Sequence, residues 1–157
     1  MKWISHKLIT GSVVYAVTGD PVGALISAFS SIVPDAVEGR NYDRKTHRKY
    51  SHWLLIYMLP FVFILLHLLF SFSKLPAIMS LLRVNTLNSY YITEICLFYF
   101  LFGCLLHLLE DAITGKIPLT NPNKKNFGIR LMQVGSLLEY VTVASVVMFV
   151  IWIKQYR

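Results

Sequence analysis

The sequence predicts an all-α, polytopic membrane protein in which three long spanning helices follow an N-terminal re-entrant or short-span helical hairpin. Composition is the first reason: 55% of the residues are hydrophobic and only 15% are charged, far from the averages of soluble domains. The second is the pattern, since 53–72, 92–109 and 134–153 are apolar almost throughout. Each is about long enough to cross ~30 Å of hydrocarbon as a helix. With 157 residues in all, the expectation is one membrane domain, 1–157.

The N-terminus carries Lys2 and Lys7 ahead of an apolar stretch, superficially like a signal peptide. No small-residue cleavage site precedes a mature domain, so the segment reads as retained structure. Residues 7–33 are apolar but rich in Gly and Ser, and Gly19-Asp20-Pro21 divides them. Asp20 before Pro21 has the form of an N-cap followed by proline at the first helical position. Each half is too short to cross the bilayer alone, which predicts a hairpin that returns the chain to the side it left. Gly11, Ser12, Ala16, Gly23, Ala24, Ser27 and Ala28 would let it pack closely on its neighbours.

In the first span Pro60 predicts a kink. The connection 74–91 holds a short amphipathic stretch suited to an interface. Cys96 and Cys104 lie too far apart along one helix to bond each other and read as small hydrophobes. The Gly and Pro residues after Thr114 end the second span.

The net charge of +7 is distributed as a membrane topology signal. Arg40, Arg44, Lys45, Arg48 and Lys49 precede the first span, and Lys116, Lys124, Lys125 and Arg130 follow the second, whereas the connection between those spans has only Lys74 and Arg83. Loops rich in Lys and Arg stay in the cytoplasm. Both basic loops are therefore expected on the cytoplasmic face of the membrane. Anionic lipid heads, and no nucleic acid, are the expected partners of this charge.

Polar residues of metal-ligand type gather on those same loops. Asp35, Glu38, Asp43, His47 and His52 precede the first span, and His107, Glu110 and Asp111 end the second. Together they hold three of the five histidines and five of the eight acidic residues. Such side chains are costly beside a bilayer and need a reason. His107 and Asp111, four apart, share one helix face and could chelate a divalent ion. His47 and His52, five apart, would diverge on a continuous helix and need a turn to serve one site. The predicted topology brings Asp35, His47, His52, His107 and Asp111 to one depth, and the hairpin brings His6 there too. That set suits zinc, with manganese or iron as further fits. His67 lies fifteen residues beyond His52, about 22 Å along a helix, and is excluded from the set.

The order His6, Pro34-Asp35, His47-Arg48-Lys49-Tyr50-Ser51-His52 and His107-x-x-x-Asp111 with Thr114-Gly115 resembles the YdjM-like bacterial inner-membrane metal-dependent hydrolases. Lys49, Ser51 and Trp53 depart from that family's central motif, where glycine, threonine and serine are usual; every ligand-type residue is kept. The resemblance implies a divalent-metal hydrolase acting on phosphoesters or lipid-linked substrates. In that role Glu110 or Asp43 would serve as general base and Arg48 would stabilise phosphoryl charge. Two other classes fit the residues. One is an assembly protein with a structural metal or ion-pair rim. The other is a transporter, for which Glu94, Glu139 and His67 offer no continuous relay.

Overall fold

The computed structural model describes residues 1–38, 50–81 and 87–156. It is built of helices: α1 (Trp3–Thr18), α2 (Pro21–Ser30), α3 (Val33–Glu38), α4 (Leu54–Leu81), α5 (Leu87–Thr114) and α6 (Leu137–Gln155). Between α5 and α6 a small antiparallel pair, β1 (Ile117–Pro118) and β2 (Lys125–Phe127), stiffens the connection.

The expected hairpin forms, and its turn has a local cause. Gly19 takes a left-handed φ of 71° and its N–H bonds Tyr15 O at 2.9 Å, which caps α1 where a side chain would be strained. One residue later the Asp20 carboxylate accepts from the Val22 N–H at 2.9 Å and Pro21 opens α2. Small residues then set the packing. A Cβ at Gly11 would sit 3.2 Å from Ala28 Cβ, and one at Gly103 would meet Ser30 Oγ at 2.1 Å and Ser27 O at 2.3 Å. The buried Ser27 hydroxyl donates to Tyr99 O at 2.8 Å, and the buried Cys104 thiol lies 3.4 Å from Ser30 O. The backbones of α2 and α5 are thus in near contact. Cys104 behaves as the small hydrophobe expected, Cys96 is half-buried, and both are free thiols.

Helix α1 lies between α2 and α6, and α5 lies between α2 and α4. Helices α1 and α6 run side by side in the same direction. At their starts Glu139, fully buried, accepts from the N–H groups of Lys2 (2.8 Å) and Gly135 (2.7 Å). At their ends Lys154 Nζ lies 4.8 Å above the Tyr15 ring. Glu139 is therefore a clamp between helix starts rather than part of an ion path. Two apolar clusters fill the bundle: Tyr57, Cys104, Leu108, Ala112 and Ile117 in one, Val14, Ala24 and Tyr99 in the other.

Among the described residues two helices are long and apolar enough to cross a membrane, Tyr91–Thr114 and Leu137–Gln155. Their apolar windows are only 28% and 17% buried, the opposite of a core helix in a soluble domain. The third expected span is corrected. In the region 53–72 the qualifying apolar helix is the shorter Leu54–Phe70, although α4 itself continues to Leu81. The turn at 50–53, which presents His52, delays the start of the helix to Leu54. Much of the connection expected at 74–91 is helical, taken up by the end of α4 and the start of α5. Helix α4 continues through Pro60.

Gly103→Ala places a methyl group against the backbone of Ser27, so α2 must shift. The expected cost is about 1–3 kcal/mol. Thermal denaturation of the purified protein in detergent checks this, and a melting temperature equal to the parent's would refute the close α2–α5 approach.

Candidate metal centre

Four segments deliver polar side chains to one end of the bundle. Helix α1 supplies His6 and Thr10, one turn apart on one face; α3 supplies Asp35 and Glu38; the turn before α4 supplies Ser51 and His52; the last turns of α5 supply His107, Glu110 and Asp111. The turn before α4 is tied at Trp53, whose Nε1 donates to Thr120 O at 3.1 Å. The end of α5 is tied by the chain that follows it: Ile129 and Leu131 donate to the carbonyls of Ala112 (2.9 Å) and Ile113 (2.7 Å). These bonds satisfy carbonyls that a helix end leaves open.

At the centre, Asp35, His52, His107 and Asp111 each offer one ligand atom, all within 4.8 Å of one another. His52 Nε2 lies 3.2 Å from Asp35 Oδ1, from Asp111 Oδ2 and from His107 Nε2. His107 Nε2 lies 3.6 Å from Asp35 Oδ1 and 3.7 Å from Asp111 Oδ2. Four donors bound at ~2.0–2.1 Å around a tetrahedral zinc are about 3.3–3.4 Å apart. Five of the six separations, 3.2–3.7 Å, are close to that edge, and the sixth, between Asp35 and Asp111, is within 4.8 Å. The four residues thus form a group that could hold a small divalent ion once one carboxylate closes in. His52, His107 and Asp111 are fully buried, while the Asp35 side chain keeps 16% of its exposure.

Carboxylates outside the tetrahedron orient its rings. His52 Nδ1 faces Glu38 Oε1 at 3.3 Å and Ser51 Oγ at 2.9 Å, and the Ser51 hydroxyl donates to Glu38. This leaves Nε2 turned to the centre, as in the carboxylate–histidine–metal arrangement. His6 is held the same way. Its Nδ1 lies 2.5 Å from Glu110 Oε2, while Thr10 Oγ1 donates to Glu110 Oε1 at 2.9 Å. The His6 and His107 rings lie against each other, centroids 4.1 Å apart. Asp111 faces two ways, with Oδ2 in the tetrahedron and Oδ1 at 3.4 Å from His6 Nε2 and 3.0 Å from the Met1 amino group.

Charge follows this geometry. Burial opposes charging of His52, but the carboxylates of Asp111, Asp35 and Glu38 outweigh it and push its pKa up to about 10. Burial likewise works against ionised Asp35, yet His107 and His52 hold its carboxyl far below the usual range. A site that keeps the Asp35 carboxylate ionised and draws a proton onto His52 is one that favours positive charge.

Of the residues expected from the sequence, Asp35, His52, His107 and Asp111 form the tetrahedron, and His6 and Glu110 adjoin it. Both Glu110 oxygens are engaged, so its geometry is that of an orienting group. His47, Asp43 and Arg48 lie outside the described residues. His67 is remote from the centre as expected, its Nδ1 3.2 Å from Glu94 Oε1 between α4 and α5. Sequence reasoning did not assign Glu38, Ser51 or Thr10. Spacing gives a weak signal for Glu38 and Thr10, which lie three and four residues after Asp35 and His6 on the same helix faces.

No curated protein and no solved structure matches the chain significantly. The profile of the YdjM inner membrane proteins does, and it extends over residues 1–156, so it takes in every segment that contributes to this centre. An apolar helical bundle with its ligand-type side chains at one end is therefore the form that this chain gives to its family, and the protein belongs to the YdjM inner membrane protein family.

Proposed function

We propose that the protein is a multi-pass inner-membrane, divalent-metal-dependent hydrolase whose centre lies at the cytoplasmic face and acts on a phosphoester or lipid-linked substrate. The single observation that carries this reading is the buried cluster of Asp35, His52, His107 and Asp111, whose ligand atoms lie within 4.8 Å of one another. Zinc suits two imidazoles and two carboxylates, and manganese or iron also fit. A divalent ion held there supplies Lewis-acid polarisation of an ester or phosphoryl oxygen and acidifies water. The chain's own residues do the rest. Glu38 and Ser51 hold His52, Glu110 holds His6, and the apolar bundle excludes bulk water. Asp43 and Arg48, on the 39–49 segment that joins Glu38 to the His52 turn, serve as proton acceptor and phosphoryl partner. In this topology Leu54–Phe70 makes the third crossing; its seventeen residues give about 25 Å of helix, enough where flanking side chains reach the interface.

One observation favours a second reading. Four protein donors fill a tetrahedron, which is the habit of structural zinc, whereas catalytic zinc keeps a position open. A non-catalytic assembly protein with a structural ion would look the same at this centre. The two readings part on activity. In the metal-loaded protein, His52→Ala and Asp111→Asn are expected to lower ion affinity on the order of 100-fold or more and to abolish hydrolysis across a panel of phospholipids and soluble phosphoesters. Metal content near zero in protein purified without chelators, or full activity in both variants, would overturn the metal-dependent reading. Retained metal with no hydrolysis on the panel would favour the structural one.

Proton linkage gives an independent check. The folded-state pKa of His52 is raised from its ordinary 6.5 to about 10. In the metal-free protein its contribution to stability is therefore complete below pH ~6.5 and lost as pH rises through ~10. Metal uptake near pH 8 must displace this proton, so about one proton per chain is expected to be released. Calorimetry in buffers of different ionisation enthalpy measures it, and the metal-free melting temperature should fall between pH 8 and 10 while the loaded protein holds steady. Metal uptake without proton release would contradict the assigned charge state.

A further inference from the structure

We infer that the centre holds two divalent ions, the second bound by His6 Nε2 and Asp111 Oδ1 with the Asp111 carboxylate bridging to the first. This rests on the metal-centre reading above and adds to it a second ion position that the four-residue tetrahedron does not contain.

The His6 ring is fully buried, and its two nitrogens are placed differently. Nδ1 lies 2.5 Å from Glu110 Oε2, where the carboxylate accepts the ring proton. Nε2 then presents its lone pair, and it has no hydrogen-bond partner among the described residues. It is aimed at Asp111 Oδ1, 3.4 Å away. A ring nitrogen facing a carboxylate oxygen in a dry interior calls for a cation between them, and a proton or a metal ion can supply it. Their separation again equals the edge of a tetrahedron with bonds of ~2.0–2.1 Å. Asp111 is thus the hinge of the arrangement, with Oδ2 among the four donors and Oδ1 on His6. A positive group already occupies this side: the Met1 ammonium is 3.0 Å from Oδ1 and 3.4 Å from Thr114 Oγ1, and an ion bound to His6 would take over its neutralising role.

The second position differs from the first in its supply of protein donors. His6 and Asp111 provide two, which leaves coordination free for water or a substrate oxygen. In two-metal hydrolytic sites the ions lie about 3.5–4 Å apart and clamp the attacking and leaving oxygens. Four donors around the first ion are then no obstacle to catalysis, because the open coordination belongs to the second. Glu110 is a positioning residue here: it touches neither ion, and it fixes the tautomer that makes His6 a ligand.

The test uses the full chain purified in detergent and loaded with Mn2+. Metal analysis is expected to give two ions per chain, and low-temperature electron paramagnetic resonance an exchange-coupled signal. His6→Gln should reduce the content to one ion and convert the spectrum to that of isolated Mn2+. Glu110→Gln, which keeps side-chain volume, should weaken the second ion about 10–100-fold and leave the first unchanged. Gel filtration and the melting temperature of each variant separate loss of an ion from loss of fold. A parent protein that binds one ion with an uncoupled spectrum overturns the second position and leaves the four-residue centre standing. Two ions retained in a folded His6→Gln variant overturn it as well. A parent that binds none overturns both.

Discussion

The structure turns on one carboxylate. Asp111 is fully buried at the end of an apolar helix, where an uncompensated charge costs several kcal/mol. It can stay ionised only if cationic or proton-bearing groups are brought to it. His6 from α1, His52 from the turn before α4 and His107 from its own helix all come within 3.2–3.7 Å of its oxygens. The hairpin, the short helix α3 and the tie of Trp53 to Thr120 are the means by which separate segments satisfy that requirement. The same logic makes the centre favour positive charge.

Small residues make this gathering possible. Close approach of α2 to α5 at Gly103 draws the end of the hairpin, and so α3 with Asp35 and Glu38, towards the polar end of α5. The other polar groups in the bundle are handled locally. Ser27 and Cys104 meet backbone carbonyls, and Glu139 receives two backbone N–H groups. Apart from Glu94 Oε2, buried side-chain atoms without a hydrogen-bond partner among the described residues, such as those on Ser5, His6 and His107, belong to the end of the bundle where α1 starts and α5 finishes.

Much of this was legible in the sequence because it is local. Gly19-Asp20-Pro21 encodes its own cap and turn, Thr114-Gly115 ends α5, and His107 with Asp111 shares a face by helical period alone. Membership of His6, Asp35 and His52 in the same neighbourhood followed from topology, since charge asymmetry and hairpin length place them at one depth. What was not legible depends on tertiary contact. Glu110 reads as a free acid near the site until Thr10 and His6, a hundred residues away, are seen to engage both of its oxygens. Glu38 and Ser51 gain their role only through the ring of His52. The extent of helix beyond the apolar runs was not legible either, because hydropathy marks where a segment stops being apolar, whereas the backbone of α4 continues to Leu81 and that of α5 begins at Leu87.

The distance along the chain between His6 and Glu110 has a consequence for how the protein is made. The two are 104 residues apart, and α1 is synthesised long before the helix that supplies its partner. At ~5–20 residues per second, roughly 5–20 seconds pass before Glu110 exists. Through that interval an imidazole meant for a dry interior has water or lipid heads as its only company. The His6 side chain therefore gains its protein partners only once α5 has been made, long after α1 and α2 are able to pack on each other.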